Sequence, residues 1–182
     1  MKSFSKWVGA VVAMVLLAGS ATAANTLIAG KVKSVNAEKK EFVLTDGAAK
    51  DHTFKLGDEV VINRGGTEGP SDLKANDAVS VCYHKGTLTW TAHYILVKEG
   101  DTKDYQLRQG SFKNSDAEKK TFTYTDADGK DWTYPMNGSK VRLNMQDSKI
   151  DDIKIGDNTL VIVEEIGDKV SLKAMMFSRK AN

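Results

Sequence analysis

Apolar and polar residues alternate along this chain over short stretches, the period-two pattern of half-buried β-strands. In the first half the pattern predicts strands over 27–35, 41–46, 52–56, 60–63, 78–84 and 87–97. In the second half it predicts strands over 105–113, 121–126, 132–136, 141–143, 159–164 and 169–177. Strict alternation puts Val79, Val81 and Tyr83 on the inward face of one strand, with Leu88, Trp90, Ala92, Tyr94 and Leu96 facing them across a turn at Lys85-Gly86. The corresponding set in the second half is Val161, Val163, Val170, Leu172, Ala174 and Met176.

The two halves are copies. At an offset of 80 residues, Gly30–Val81 falls on Gly110–Val161 without a gap, and 17 of the 52 pairs are identical. Ala37-Glu38-Lys39-Lys40-x-Phe42-x-x-Thr45-Asp46 returns as Ala117-Glu118-Lys119-Lys120-x-Phe122-x-x-Thr125-Asp126. A fixed period of this length fixes the architecture as two like units. The shared positions are turn and core residues; no set of reactive groups is copied.

The turns carry their own chemistry. Asn36 and Asp116 precede the Ala-Glu-Lys-Lys runs, and each side chain is placed to accept backbone N–H groups two or three residues on. Asp128-Gly129 is a turn in which glycine supplies positive φ. In Ser71–Asp77, Asp72 caps a helical turn, Leu73 plugs one end of the unit, and Asn76 takes the left-handed conformation. The copy replaces Leu73 with Ile153 and Asn76 with Gly156, as an apolar plug and a positive φ require. The charged stretch Lys98–Asp104 links the units.

Five or six short antiparallel strands must bury one face and manage two edges, and a small closed barrel does both. The expected fold class is therefore all-β: two tandem small antiparallel β-barrels from an internal duplication, OB-like ahead of SH3-like. The alternative is one β-sandwich built from both halves. The expected units are residues 24–100 and 101–182. The chain here resembles a loose group of exported bacterial domains of no settled activity. These share a Gly-x-Val-x-x-Val opening, here Gly30–Val35, and a Leu-Lys-x-Gly-Asp-x-Val signature, here Leu73–Val79 and Ile153–Thr159. The first copy has Asn76 for the signature glycine and the second has Thr159 for the last valine. The resemblance implies small β-barrels and adds nothing on function.

Residues 1–23 read as a secretory signal: Lys2 and Lys6, an apolar run over Trp7–Gly19, and small residues at Ala21 and Ala23 before a cleavage site. At about 13 residues the run is short of the ~20 that cross a bilayer, so a periplasmic or secreted protein without a stable membrane anchor is expected. The formal charge of +2 comes from Lys2 and Lys6. The remaining 24 basic and 24 acidic residues cancel, which speaks against nucleic acid and polybasic membrane surfaces as partners. Cys82 is the only cysteine, so no intramolecular disulfide forms; a buried small hydrophobe is its ordinary role.

Candidate chemistry is sparse. Cys82, His84 and His93 come nearest to a metal set, but a tight hairpin at Lys85-Gly86 would hold His93 roughly 20 Å from His84 at ~3.3 Å per residue, against ligand distances of ~2.0–2.3 Å. Met136, Met145, Met175 and Met176 with Trp132 invite a Cu(I) reading, yet no histidine lies in that half. Asp126–Asp131 fails the calcium-loop spacing: glycine falls at position 4, and position 12 is Asn137. The adjacent acids Asp151-Asp152 and Glu164-Glu165 point to opposite faces if they lie on strands. Trp132, Tyr134 and Lys130 suggest a stacking surface. No nucleophile, phosphate-loop or zincin motif is present. The expectation is a non-enzymatic exported binding or structural protein of the cell envelope with no catalytic, cofactor or metal residues assigned. Its partner would be a protein, an envelope polymer or a small ligand. The alternative is a periplasmic copper- or zinc-binding protein.

Overall fold

The computed structural model describes residues 25–69 and 73–179. The signal reading and the capping role of Asp72 lie outside these residues. The first unit contains β1 (Asn25–Asn36), β2 (Glu41–Asp46), β3 (Asp51–Arg64), β4 (Thr67–Gly69), β5 (Ala78–Lys85) and β6 (Trp90–Val97). Its sheet runs β2-β1-β5-β6-β3-β4, and a further β2–β3 pairing closes the ring into a five-stranded barrel. The β3–β6 pair is parallel and the other pairs are antiparallel. This is the order of an OB-like barrel.

The second unit contains β7 (Tyr105–Asp116), β8 (Thr121–Thr125), β9 (Asp131–Pro135), β10 (Lys140–Leu143), β11 (Gln146–Asp147), β12 (Asn158–Ile166) and β13 (Lys169–Ser178). Its sheet, β11-β10-β13-β12-β7-β8-β9, follows the same path with one interruption. Where β3 is continuous, β9 and β10 are separated by Met136–Ser139, with Asn137 and Gly138 at φ 38° and 74°. In the first barrel Lys55 pairs with Thr91 of β6. Its counterpart Pro135 has no N–H to give a ladder, and β9 remains an edge strand.

Local expectations from the turns hold. Asn36 and Asp116 accept the N–H groups of Lys39 and Lys119 at 3.0 and 2.9 Å. Asn76 and Gly156 have φ of 72° and 89°. Leu73 and Ile153 are buried in their respective cores. Lys98–Asp104 includes a 3₁₀ turn at Gly100–Thr102.

The inward faces differ from strict alternation. β5 pairs Cys82 with Tyr94 but Tyr83 with Ala92, leaving His93 as an extra residue. Such a bulge reverses which face later residues point to. Trp90 and Ala92 thus belong to the barrel core, but beyond His93 that role passes to Ile95 and Val97. Tyr94 and Leu96 point outward instead. The second barrel repeats this with Lys173 as the extra residue: Leu172, Met175 and Phe177 face the core, while Ala174 and Met176 face out. Leu88 and Val170, both expected inside, are 94% and 39% exposed. Leu88 sits in a loop over Gly86–Thr89 that is wider than the expected turn, since Lys85 pairs with Trp90.

The outward residues are not exposed. Leu27, Cys82, Tyr94 and Leu96 of the first barrel form a third apolar cluster with Leu107, Ile162, Ala174 and Met176 of the second. The barrels therefore share a buried seam. A polar chain crosses beside it. The Asn63 amide donates to the Tyr94 hydroxyl at 3.0 Å, Tyr94 donates to Glu68 at 2.7 Å, and Glu68 pairs with Arg142 of β10.

Gly30 and Gly110 explain the glycine of each opening motif. A Cβ at Gly30 would lie 2.3 Å from the Thr45 carbonyl oxygen, and one at Gly110 would lie 2.1 Å from that of Thr125. Gly30→Ala and Gly110→Ala are each expected to cost about 1–3 kcal/mol, whereas Gly47→Ala, with open space around it, should leave the melting temperature almost unchanged. In the seam, Leu96→Ala should cost about 2–5 kcal/mol, against less than about 0.5 kcal/mol for Leu88→Ala at the exposed loop. Urea unfolding of the five variants measures these differences.

Candidate ligand cleft at the seam

Alongside the seam lies a cleft of about 560 Å³. Asn25, Glu59, Cys82, His93 and Tyr94 reach it from the first barrel. The second barrel supplies the larger wall, including Gln109–Ser111, Thr125–Ala127, Asn144-Met145, Asn158–Leu160 and Met176–Ser178. Its size is that of ordinary small-ligand sites, and its lining mixes apolar groups with a few polar ones.

The polar groups have different degrees of freedom. Asp126 is committed: it accepts the N–H groups of Asp128 and Lys130 at 3.0 and 2.9 Å and the Trp132 indole N–H at 2.7 Å. The indole hydrogen bond, with those backbone donors, holds its carboxyl below the usual range. Gln109 donates through Nε2 to the Asn25 carbonyl at 2.7 Å. Its buried Oε1 has no hydrogen-bond partner among the described residues, a costly condition for a buried acceptor. Burial pushes the Cys82 thiol up to about 12, so it is a protonated apolar group at neutral pH. Burial, helped by nearby His84, lowers the His93 imidazole.

The expected separation of His84 from His93 is corrected. The wider loop puts His84 opposite Thr91, so His93 follows within a few residues of that pairing. Even so, no three His, Cys, Asp or Glu side chains among the described residues are placed to hold a metal ion. The methionines are dispersed: Met175 is in the second core, Met136 packs against it, Met176 is in the seam, and Met145 is 40% exposed.

The proposed stacking surface is not free. Tyr134 is buried in the second core. Trp132 is half-buried, with the Lys130 ammonium 3.9 Å and the Arg108 guanidinium 4.5 Å from its ring centroid. Its counterpart His52 plays a parallel part: it bonds Asp46 at 2.7 Å and stacks on Trp90 at 5.0 Å. These are matched supports for the β2–β3 and β8–β9 corners. Glu164 and Glu165 point apart as expected, Glu164 to Lys173 and Glu165 to Arg108.

Sequence reasoning had singled out Cys82 and His93 but not Gln109, Asn144 or Thr159. The available signal was the unbroken apolar run Tyr94–Val97, echoed by Val161–Val163 and Met175–Phe177. Continuous apolar runs mark strands covered on both faces, and hence a second surface packed outside each barrel.

No family model matches the chain, and no curated protein matches it. Among solved structures, the Ag(I) form of CusF is similar over 40% of this chain and 96% of that one, with 16% identity and a TM-score of 0.33, a likeness too slight to carry an argument. Among the described residues no helix is long and apolar enough to cross a membrane.

Two measurements follow. Cys82 should resist a thiol reagent at pH 8 in the native protein and react at once in denaturant. Asp157, buried against Arg179, titrates with the opposite sense to Cys82. Burial raises its carboxyl, but the Arg179 hydrogen bonds and the Lys154 N–H outweigh this and hold it below the ordinary 3.8. A carboxyl lowered by folding stabilises fully above its unfolded value and loses that contribution as pH falls through the folded one. Thermal melts should fall steeply below about pH 4, and Asp157→Asn should melt lower at pH 7 with a flatter acid limb.

Proposed function

We propose that this protein is a non-enzymatic binding protein of the bacterial cell envelope that takes its ligand in the cleft at the seam. The observation that supports this is the cleft itself, walled by both repeats and carrying an unsatisfied acceptor, Gln109 Oε1. A binding role also suits the lining. His93 is the one histidine in it, the Cys82 thiol is protonated, and the Thr159 hydroxyl is spent on the Asp157 carbonyl at 3.2 Å. No activated nucleophile with a base beside it is assembled there. Export to the periplasm or beyond, with cleavage after Ala23, belongs to the same reading and rests on the basic, apolar and small-residue segments of 1–23.

A second reading, binding of a soft metal ion, is favoured by one observation: Cys82, His93, Met145 and Met176 all line this cleft. Thiolate and thioether ligands suit Cu(I), though the metal would first have to displace the raised thiol proton.

A fragment screen by amide NMR tests the first reading without presuming the ligand. Hits should converge on Gly110, Ser111, Asn144 and Asn158 and vanish in Ser111→Trp, which fills the cleft from an exposed position. Hits clustering on another face would contradict it. Native mass spectrometry with Cu(I) tests the second: a stoichiometric adduct lost in Cys82→Ser would establish the metal reading, and no adduct would remove it.

A further inference from the structure

The turn between β10 and β11 is strained where it meets the cleft. Leu143 pairs with Gln146, so Asn144 and Met145 form a two-residue hairpin turn, with φ of 49° and 66°. The turn between β3 and β4 has the same form. Arg64 pairs with Thr67, and Gly65 and Gly66 fill the turn at φ of 60° and 84°. Glycine takes such a backbone freely, whereas a residue with a Cβ does so at a cost. The other non-glycine residues with positive φ among those described are Lys40, Ala49, Asn76, Lys120 and Asn137. None of these lines the cleft, and Asn144 and Met145 both do.

Asn144 has a structural reason for its conformation. Asparagine tolerates the left-handed region, and its Oδ1 accepts the backbone N–H of Arg179 at 2.9 Å. That bond holds the chain just past β13, whose last residue, Ser178, lines the cleft as well. Met145 has no such reason. A methionine gains nothing from positive φ. Its side chain belongs to none of the three apolar clusters, and it is 40% exposed. Backbone strain without a structural return gathers at functional sites.

We infer that Met145 is the residue with which the cleft grips its ligand, and that the group it grips is an apolar ring of a small molecule. This rests on the cleft being the protein's binding site. A two-residue turn of this kind needs positive φ at both positions and suits glycine best. The protein keeps a long apolar side chain there nonetheless, at the edge of the cleft. An unbranched thioether adapts its shape to a ring and packs favourably against it. Leu160, Met176 and Phe177 add apolar groups to the lining, so a ring held by Met145 leaves water for an apolar wall.

The uncharged apolar fluorophore N-phenylnaphthylamine tests this on the full chain, with melting curves alongside. It should bind saturably with blue-shifted emission, and Ser111→Trp should abolish that binding. Met145→Gly should weaken binding about tenfold, a difference of ~1.4 kcal/mol. The same variant should melt about 2–4 °C higher, because the left-handed strain is gone. Met145→Leu, close in volume and equally apolar, should match the parent chain in both measurements. A side chain with a merely structural role would lower stability when removed, so opposite shifts in melting and binding separate the two roles. The inference is overturned by unchanged binding or a lower melting temperature in Met145→Gly, or by loss of binding in Met145→Leu. It is equally overturned if the probe does not bind saturably or still binds Ser111→Trp. If fragments of the NMR screen converge on the cleft in that case, the binding-site reading stands and only the role of Met145 fails. If they do not, both fail.

Discussion

One extra residue in the last strand of each repeat governs the rest of this structure. His93 and Lys173 each break the alternation of their strand, so that the residues beyond them exchange their inward and outward faces. Ile95 and Val97 close the first barrel while Tyr94 and Leu96 leave it. Without the bulge Tyr94 and Leu96 would continue the inward face of Trp90 and Ala92, and Ile95 and Val97 would form the outer wall. With it, Tyr94 and Leu96 form that wall, and each barrel has an outer apolar face that cannot stay in water. Burying a large apolar side chain is worth roughly 1.5–3 kcal/mol, so the faces meet.

The seam in turn makes the cleft. A two-fold meeting of like faces creates two matching recesses. The chain must cross from one repeat to the next, and it crosses through one of them, where Thr102 is fully buried. Among the described residues no segment crosses the other, which lies between the start of β1 and the end of β13. The asymmetry that gives the protein a candidate site is thus a consequence of covalent connection between two copies of one fold. The sequence differences follow that asymmetry. Arg64 on the linker side is Asn144 on the open side, and Arg179, at the end of β13, takes over the task of pairing with Asp157 that Arg64 performs for Asp77.

Much of the fold was legible from local chemistry. The repeat, the Asn36 and Asp116 turns, the Leu73 and Ile153 plugs and the positive-φ positions Asn76 and Gly156 each follow from one residue's own constraints. The seam was not read from strict alternation, because a bulge has no single-residue signature: nothing in the type of His93 or Lys173 announces an unpaired position. The unbroken run Tyr94–Val97 was the clue, since a strand with one wet face has no use for four consecutive large apolar groups. The same reversal hid the site. With Tyr94 and Leu96 assigned to a barrel interior, no cleft between barrels could be inferred, and a tight turn at Lys85-Gly86 put His93 out of reach of His84. The break after Pro135 was visible in hindsight, as the lost N–H of a residue whose counterpart sits in a ladder.

Every functional conclusion depends on the two barrels being joined by a packed seam rather than merely tethered. Scanning calorimetry of the full chain tests this most directly. A shared core makes unfolding one cooperative event, with calorimetric and van't Hoff enthalpies equal. Two separate transitions, with Leu96→Asp shifting only the one that belongs to the first barrel, would contradict it.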